Sequence, residues 1–301
     1  MYNLKCICKD KNSKELKKLS HLGVSGEIDY ICFPRSKEEI FEAFSFAIQK
    51  NLSPYPLGGG SNTLIGDVRS YLIISDLKLK KTWIQEDNLI TVSPNWNINS
   101  LLLTAAKEGL YGLEFLAGIP AHLGGIAYMN AGAYGKEISE YIEYVEVLNS
   151  QGETSLISLS DTVYRDSKVT GFIFEMCIKL NKIKEGEIKN QILNNIQNYI
   201  VKRKQTQPLD SPNLGCFFKN PLIINEKGVA QRISAGKLIE QAGLKGFQVG
   251  GAMVSKLHGN FLVNKGNAVF NDFISLISII KEKVYERFNI ELELEVKILN
   301  G

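Results

Sequence analysis

The chain has 301 residues, of which 44% are hydrophobic and 22% are charged, and its net charge is +3. These values are typical of water-soluble globular proteins, and the length suggests two or three domains. So small a charge gives no support for a nucleic-acid partner, and no apolar run approaches the ~18 residues of a membrane-spanning helix. The five cysteines include no CxxC pair that would indicate a metal site. We therefore expect a reduced, cytoplasmic protein that binds no metal, nucleic acid or membrane.

The predicted elements mix helices and strands without a steady alternation. Ser36 and Glu39 form a capping box that predicts a helix over residues 40–48, followed by a strand that ends at a run of glycines. The later elements, in chain order, are strands at 72–75 and 89–92, a helix at 97–108, strands at 145–148 and 171–180, a helix at 188–202, a polar boundary with prolines at 203–213, a helix at 235–241 capped by Ser234, strands at 250–254 and 260–263, a helix at 268–288 and a strand at 291–299. This mixture favours an α+β fold over a doubly wound α/β fold.

Residues 56–62 read Pro-Leu-Gly-Gly-Gly-Ser-Asn, and they are the first candidate for ligand binding. Successive glycine amides can surround an anion such as a phosphate, and Ser61 and Asn62 can add side-chain hydrogen bonds. The run is not a P-loop, because no Lys-Ser/Thr pair follows it. Thr63 stands where a Rossmann fingerprint has its third glycine or alanine. Taken alone, an ordinary glycine turn is an equally good interpretation.

A second glycine-rich stretch, GLEFLAGIPAHLGGIAYMNAGAYG, covers residues 112–135. So many glycines among apolar residues cost conformational entropy that a plain core would avoid. We interpret them as places where the backbone approaches a large, flat, partly charged ligand. Two such stretches in one chain suggest a dinucleotide held from two sides.

Together the two stretches resemble the FAD-binding domain of the vanillyl-alcohol-oxidase type. Further motifs, in the same order, are similar to those of the UDP-N-acetylenolpyruvoylglucosamine reductases: YRDS at 164–167, GCFFKNP at 215–221, AGKLIE at 235–240, HGNF at 258–261 and LEVKI at 294–298. The segment after YRDS is too short for the tyrosine-bearing loop of some members, so the chain resembles the shorter, second type.

The resemblance implies a two-part FAD-binding fold with a C-terminal α+β substrate domain. Its first part would be residues 1–75, joined by 290–301, its second part 76–205, and the substrate domain 206–289. It implies a monomer that reduces the enolpyruvyl group of a UDP-sugar with NADPH and noncovalent FAD, in peptidoglycan precursor synthesis. Two alternatives stay open, namely an FAD oxidase of an alcohol or sugar on the same fold and a nucleotide-binding module without catalysis.

The resemblance also assigns catalytic roles to three residues. Arg165 would stabilise charge on the substrate carboxylate, and Cys216, where the family usually has serine, would donate a proton to the substrate carbon. Glu295 would be the catalytic glutamate, although its spacing from Glu291 and Glu293 gives all three the same face of a strand. As isolated residues, the three have plainer interpretations. A surface arginine paired with Asp166 is the favoured one for Arg165, while a small buried thiol and a solvated edge carboxylate are the alternatives for Cys216 and Glu295.

The binding residues follow from the same motifs. The resemblance implies that FAD contacts two sets of residues, Gly58, Gly59, Gly60, Ser61 and Asn62 in the first stretch, and Gly118, Ile119, Pro120, Gly124, Gly125, Asn130, Ala131 and Gly132 in the second. It places Lys219, Asn220, His258 and Asn260 at the substrate.

Overall fold

The computed structural model describes residues 6–9, 14–159, 162–183, 189–224 and 228–301. These residues form two compact units. The first unit contains the strand Ile7–Lys9, Ile28–Gly59 and Arg69–Lys202. The second unit contains the helix Lys14–Leu19 with the residues that follow it up to Glu27, Gly60–Val68 and Arg203–Gly301. The division between the units therefore falls inside the first glycine run.

The helices of the described chain are α1 Lys14–Leu19, α2 Lys37–Gln49, α3 Ile98–Lys107, α4 Leu123–Tyr128, α5 Lys189–Thr206, α6 Ala235–Gln241 and α7 Phe270–Phe288. None of them is long and apolar enough to cross a membrane. The predicted helix at 188–202 corresponds to α5, which continues past the predicted boundary at 203, and Ile188 lies outside the described residues.

The described strands are β1 Ile7–Lys9, β2 Tyr30–Cys32, β3 Ser53–Leu57, β4 Thr63–Ile65, β5 Tyr71–Ser75, β6 Trp83–Glu86, β7 Leu89–Val92, β8 Leu110–Tyr111, β9 Gly132–Ala133, β10 Lys136–Glu137, β11 Ile142–Leu148, β12 Thr154–Ile157, β13 Phe172–Lys179, β14 Asn181–Lys182, β15 Asn213–Cys216, β16 Leu222–Ile224, β17 Ala230–Arg232, β18 Gln248–Val249, β19 Ala252–Val254, β20 Phe261–Asn264 and β21 Lys297–Leu299. This content of short strands and helices confirms the predicted α+β class.

One sheet of the first unit has the strand order β1-β2-β5-β3, in which β2, β5 and β3 run parallel. Helix α2 covers it, and Ile40, Phe44 and Ala47 of the helix are buried in the same core as Leu72 and Ile74 of β5. The predicted helix start is confirmed, because the Ser36 side chain accepts a hydrogen bond from the Glu39 amide. Strand β3 ends at Leu57, directly before the first glycine run.

The second sheet of this unit is antiparallel, with the order β12-β11-β13-β7-β6. Its core includes the buried face of α3 and the buried residues of α4. The sequence pattern does not predict α4, which lies inside the second glycine-rich stretch. Packing compensates for the poor helix propensity of Gly124 and Gly125, since Leu123, Ile126 and Ala127 are all buried.

The second unit contains the antiparallel sheet β15-β20-β19-β18 together with α6 and α7. Phe217 of the GCFFKNP motif stacks on Phe273 of α7, with ring centroids 6.2 Å apart. The end of the chain pairs β21 in parallel with β4. The predicted final strand at 291–299 is therefore mostly wrong, because its first six residues are irregular and Leu294 makes an isolated bridge to Phe218 instead.

Candidate functional site

Gly58 and Gly59 pack against the beginning of α4. A Cβ atom on Gly58 would lie 3.6 Å from Asp76 Oδ2 and 3.7 Å from the Gly125 nitrogen, and one on Gly59 would lie 3.3 Å from the His122 nitrogen. The two glycine-rich stretches thus meet inside the first unit. A Cβ atom on Gly59 would be tight against the His122 backbone, whereas one on Gly58 would be in ordinary van der Waals contact with its neighbours.

The predicted cofactor glycines differ in what surrounds them. Gly60 has φ +65°, and a Cβ there would strike the Leu19 carbonyl, while one on Gly124 would lie 2.7 Å from Pro94 Cβ and one on Gly132 would strike the Lys136 carbonyl. These three glycines accommodate the protein's own chain. Gly125 differs, since no described atom outside its own stretch of helix comes within 4 Å of its Cβ position, which leaves space there for a ligand.

The loop before α4 is held by one asparagine of α3. The Asn99 side chain accepts from the Gly118 amide at 2.7 Å and donates to the Ile119 carbonyl at 3.3 Å. Gly118 has φ +83°, a conformation that favours glycine. Gly118 and Ile119 are half-buried, whereas Pro120 is exposed. The predicted flavin-contacting segment is therefore a surface loop that Asn99 holds in place.

Asn130 is fully buried and forms the centre of a hydrogen-bond network. Its side-chain amide donates to Glu137 Oε2 at 2.8 Å and to Thr162 Oγ1 at 3.2 Å, and its oxygen accepts from the Ser139 amide at 3.2 Å. The amide also donates to the Val163 carbonyl at 3.4 Å, so Asn130 ties its segment to the residues that directly precede the YRDS motif. The Asn130 side chain is therefore occupied by the protein itself.

Arg165 occupies a tight turn in which Val163 and Asp166 exchange two backbone hydrogen bonds of 3.0 Å. Its φ of +60° is unfavourable for a residue with a side chain, by about 1 kcal/mol or more, and such a conformation persists where its surroundings impose it. The guanidinium donates to the Gly132 carbonyl at 2.7 Å and lies 5.0 Å from the centre of the Tyr164 ring. The turn thus holds a planar cation in a fixed orientation.

In the second unit, two predicted residues, Asn62 and Glu295, belong to one hydrogen-bonded cluster. Phe217, next to Cys216, accepts from the Glu295 amide through its carbonyl at 2.8 Å. The Asn62 side chain donates to the Glu295 carbonyl at 3.2 Å. Glu295 is half-buried whereas Glu291 and Glu293 are exposed, a distinction that the alternating sequence pattern does not make.

Cys216 is half-buried at the end of β15, where it pairs in register with Phe261. The preceding Gly215 has φ +77°, and no described atom lies within 4 Å of its Cβ position. Asn213 stabilises this turn by accepting from the Gly215 amide at 2.9 Å. Cys216 therefore lies on a backbone that is held in place, next to a glycine whose Cβ position is open.

The predicted substrate residues have different surroundings. Lys219 Nζ lies 3.7 Å from Glu293 Oε2, whereas Asn220 accepts from the Ala235 amide at 3.0 Å and so holds the start of α6. Asn260 exchanges two hydrogen bonds with the Phe218 backbone, at 2.9 and 2.8 Å. His258 Nδ1 accepts from the Asn260 amide, and burial lowers the His258 pKa. Asn220 and Asn260 thus position the backbone around the GCFFKNP motif.

Sequence reasoning missed one residue near the glycines. Asp76 directly follows β5, is buried, and has its Oδ1 2.8 Å from His122 Nδ1. Burial raises the pKa of Asp76, while the hydrogen bond and charge of His122 oppose the rise. No local pattern points to Asp76, because sheet order brings it to His122.

Segments of both units match models of known protein families. Residues 28–158 match the model of an FAD binding domain, and residues 207–299 match that of the "UDP-N-acetylenolpyruvoylglucosamine reductase, C-terminal domain". These matches confirm the predicted FAD-binding fold and its C-terminal domain.

Full-length relatives agree. The UDP-N-acetylenolpyruvoylglucosamine reductase of Clostridium tetani is 36% identical over 96% of this chain and 92% of its own length, and that of Bacillus velezensis is 34% identical over 92% of this chain and 90% of its own. The crystal structure of the Thermus caldophilus enzyme superposes with a TM-score of 0.76 at 32% identity, over 95% of this chain and 97% of that one. The chain belongs to the UDP-N-acetylenolpyruvoylglucosamine reductase family.

Proposed function

We propose that this protein reduces the enolpyruvyl group of UDP-N-acetylenolpyruvoylglucosamine to give UDP-N-acetylmuramate, with NADPH as reductant and FAD as bound cofactor. It is an FAD-dependent oxidoreductase of peptidoglycan precursor synthesis. The observation that carries the proposal is the cluster in the second unit, where the Glu295 backbone amide donates to the carbonyl of Phe217, the residue that follows Cys216 in the chain. An acid and a second proton-sharing group are what reduction of an enol ether next to a carboxylate requires.

The glycine contacts fit an FAD site. Gly58 and Gly59 bring their backbone against α4, and the Gly125 Cβ position faces open space. Backbone amides in such turns bind phosphate groups, so these three residues would hold the diphosphate. When bound, FAD supplies hydride transfer from NADPH to the substrate. The remaining predicted flavin contacts, including Gly60, Ser61 and Asn62, stay predictions.

The protein supplies charge stabilisation and a proton. Negative charge grows on the substrate carboxylate as hydride arrives, and the planar guanidinium of Arg165 suits that group. The Cys216 thiol donates a proton to the adjacent carbon. Glu295 shares a proton with the developing enolate or orients the cation, because two ionised carboxylates side by side would repel. Lys219 and His258 are proposed to contact the substrate, and Asn220 and Asn260 to fix the backbone beneath it.

The decisive experiment measures NADPH oxidation with and without the enolpyruvyl sugar nucleotide. We expect oxidation that depends on this substrate and yields UDP-N-acetylmuramate. Oxygen consumption with alcohols or sugars, without substrate-dependent NADPH oxidation, would indicate the oxidase alternative. A yellow protein with neither activity would indicate a binding module. A cytoplasmic, monomeric enzyme is part of the proposal, and sedimentation at working concentration tests the monomer.

Gly125→Leu is expected to abolish FAD binding while leaving the fold intact. Its side chain would extend into open space, because the Gly125 Cβ position has no described neighbour within 4 Å. A helical glycine replaced by leucine gains helix propensity, by up to about 1 kcal/mol, so unfolding is not the expected outcome. The measurement is flavin content from the visible spectrum together with circular dichroism. Gly125→Ala is the matched control, and a fully yellow Gly125→Leu protein would contradict the assignment.

Arg165→Lys is expected to slow substrate reduction by about 10- to 100-fold, the equivalent of a lost hydrogen bond to a charged group. A lysine ammonium is a point charge and cannot reproduce the planar fork that reaches the Gly132 carbonyl. Bleaching of the flavin absorbance by NADPH should continue at the wild-type rate, which rapid mixing measures. Equal loss in both reactions would show a general structural defect.

A further inference from the structure

Asp76 and His122 form a buried acid–base pair that the catalytic proposal does not use. Their side chains are 5% and 17% exposed, and Asp76 Oδ1 lies 2.8 Å from His122 Nδ1. The second ring nitrogen, Nε2, has no hydrogen-bond partner among the described residues. One side of the imidazole is therefore anchored and the other is available.

Stability alone gives a weak reason for such a pair. Taking a carboxylate and an imidazole out of water costs free energy, and well-packed apolar side chains in their place are often neutral or stabilising. Burial indeed raises the pKa of Asp76, against the opposing effect of His122. A pair retained at this cost is a candidate for a functional role.

The location of the pair, against the first glycine run, indicates what that role is. A Cβ atom on Gly58 would lie 3.6 Å from Asp76 Oδ2, and one on Gly59 would lie 3.4 Å from His122 Cδ2. The first two glycines of the run thus rest directly on the pair. Cδ2 is the ring carbon bonded to Nε2, so the side of the imidazole that carries the available nitrogen is the side that meets the loop.

We propose that Asp76 is a positioning residue for His122, and that His122 Nε2 donates a hydrogen bond to an anionic oxygen of the FAD diphosphate at the Gly58–Gly59 backbone. A carboxylate that accepts from Nδ1–H fixes the ring orientation, and an imidazole ring that carries both protons has a second donor in Nε2–H. The diphosphate is the group that glycine amides bind. The inference rests on the proposed FAD site.

The test measures FAD release from the holoenzyme on dilution, by the fluorescence of the freed flavin. Asp76→Asn and His122→Gln should each raise the dissociation constant about tenfold, as expected for loss of one charge-assisted hydrogen bond. The double variant should be no weaker than either single one, because the two residues act as one unit. Salt should weaken FAD binding less in the variants than in the wild type, since a charge contact has been removed.

If His122→Gln does not fold, Asp76→Asn still tests the proposal. Its amide oxygen accepts from Nδ1–H, which preserves the local structure, but it lacks the negative charge of the carboxylate. The matched control is Glu146→Gln, which breaks the half-buried ion pair with Lys37 elsewhere in the first unit and should leave FAD affinity unchanged. The midpoint potential of the bound flavin should stay constant in every variant, because the diphosphate is remote from its redox chemistry.

Three results would overturn the inference. These are an unchanged dissociation constant in Asp76→Asn, an equal loss of affinity in Glu146→Gln, and a shifted midpoint potential, which would place the imidazole at the flavin ring. Failure of the proposed function is a separate outcome, since a wild-type protein purified without FAD would show it before any variant is made.

Discussion

Replacing Cys216 by alanine is expected to slow reduction of the enolpyruvyl substrate by about 10²–10⁴-fold, the range for loss of a general acid. The thiol is half-buried at the end of β15, next to a glycine whose Cβ position is open. Alanine keeps the backbone and removes the proton donor. Rapid-mixing experiments should show the flavin bleached by NADPH at the wild-type rate and recovering its absorbance slowly when substrate is added.

Two variants control for this result. Cys216→Ser should retain much of the activity, because a hydroxyl can also donate a proton, although a thiol is the stronger acid. Cys177→Ala removes a buried thiol from β13, a strand of the first unit, and should change neither reaction. Alkylating agents should inactivate the wild-type enzyme, and substrate should protect it. Normal turnover by Cys216→Ala would show that another group is the acid.

Local signals predict much of the fold because they act within a few residues. Ser36 and Ser234 cap α2 and α6 at the predicted positions, since a side-chain oxygen satisfies amides that a helix start leaves unpaired. Local signals predict the segment before β21 wrongly. Its alternating residues suit a strand. The Lys219 amide donates to the Glu293 carbonyl and the Glu295 amide donates to the Phe217 carbonyl, but the bridge between Phe218 and Leu294 is isolated and no continuous ladder forms. Pairing partners distant in sequence decide strands more than pattern does.

The candidate site likewise has features that local sequence signals predict and features that they do not. Glycine density identifies the ligand-binding stretches, but spacing alone does not separate Gly125, which faces open space, from Gly124, which packs on Pro94. Local sequence patterns do not predict the Asp76–His122 pair, because the fold brings together two residues that are 46 positions apart in the chain. Motif resemblance names residues, whereas burial and contact show which of them can meet a ligand.

Glu295→Ala is expected to slow the same substrate-dependent step as loss of Cys216, by about 10²–10⁴-fold. The carboxyl group is half-buried, its backbone amide donates to Phe217, and its carbonyl accepts from Asn62. The Glu295 backbone is thus held by Asn62 and by the residue that follows the proposed acid in the chain. Glu295→Gln should retain more activity than alanine, because the amide can still donate a hydrogen bond to the developing enolate. The measurement is the rate at which flavin absorbance returns after substrate is mixed with the NADPH-reduced enzyme.

Glu291→Ala is the matched control, since Glu291 is an exposed glutamate of the same segment and the same parity. It should behave as the wild type in both reactions. The order of rates expected is therefore wild type and Glu291→Ala together, then Glu295→Gln, then Glu295→Ala. Wild-type turnover by Glu295→Ala would move the role to Glu291 or Glu293. A loss in Glu295→Ala that also slowed bleaching by NADPH would mean that the substitution disturbs flavin binding, through the Asn62 contact, and not proton sharing at the substrate.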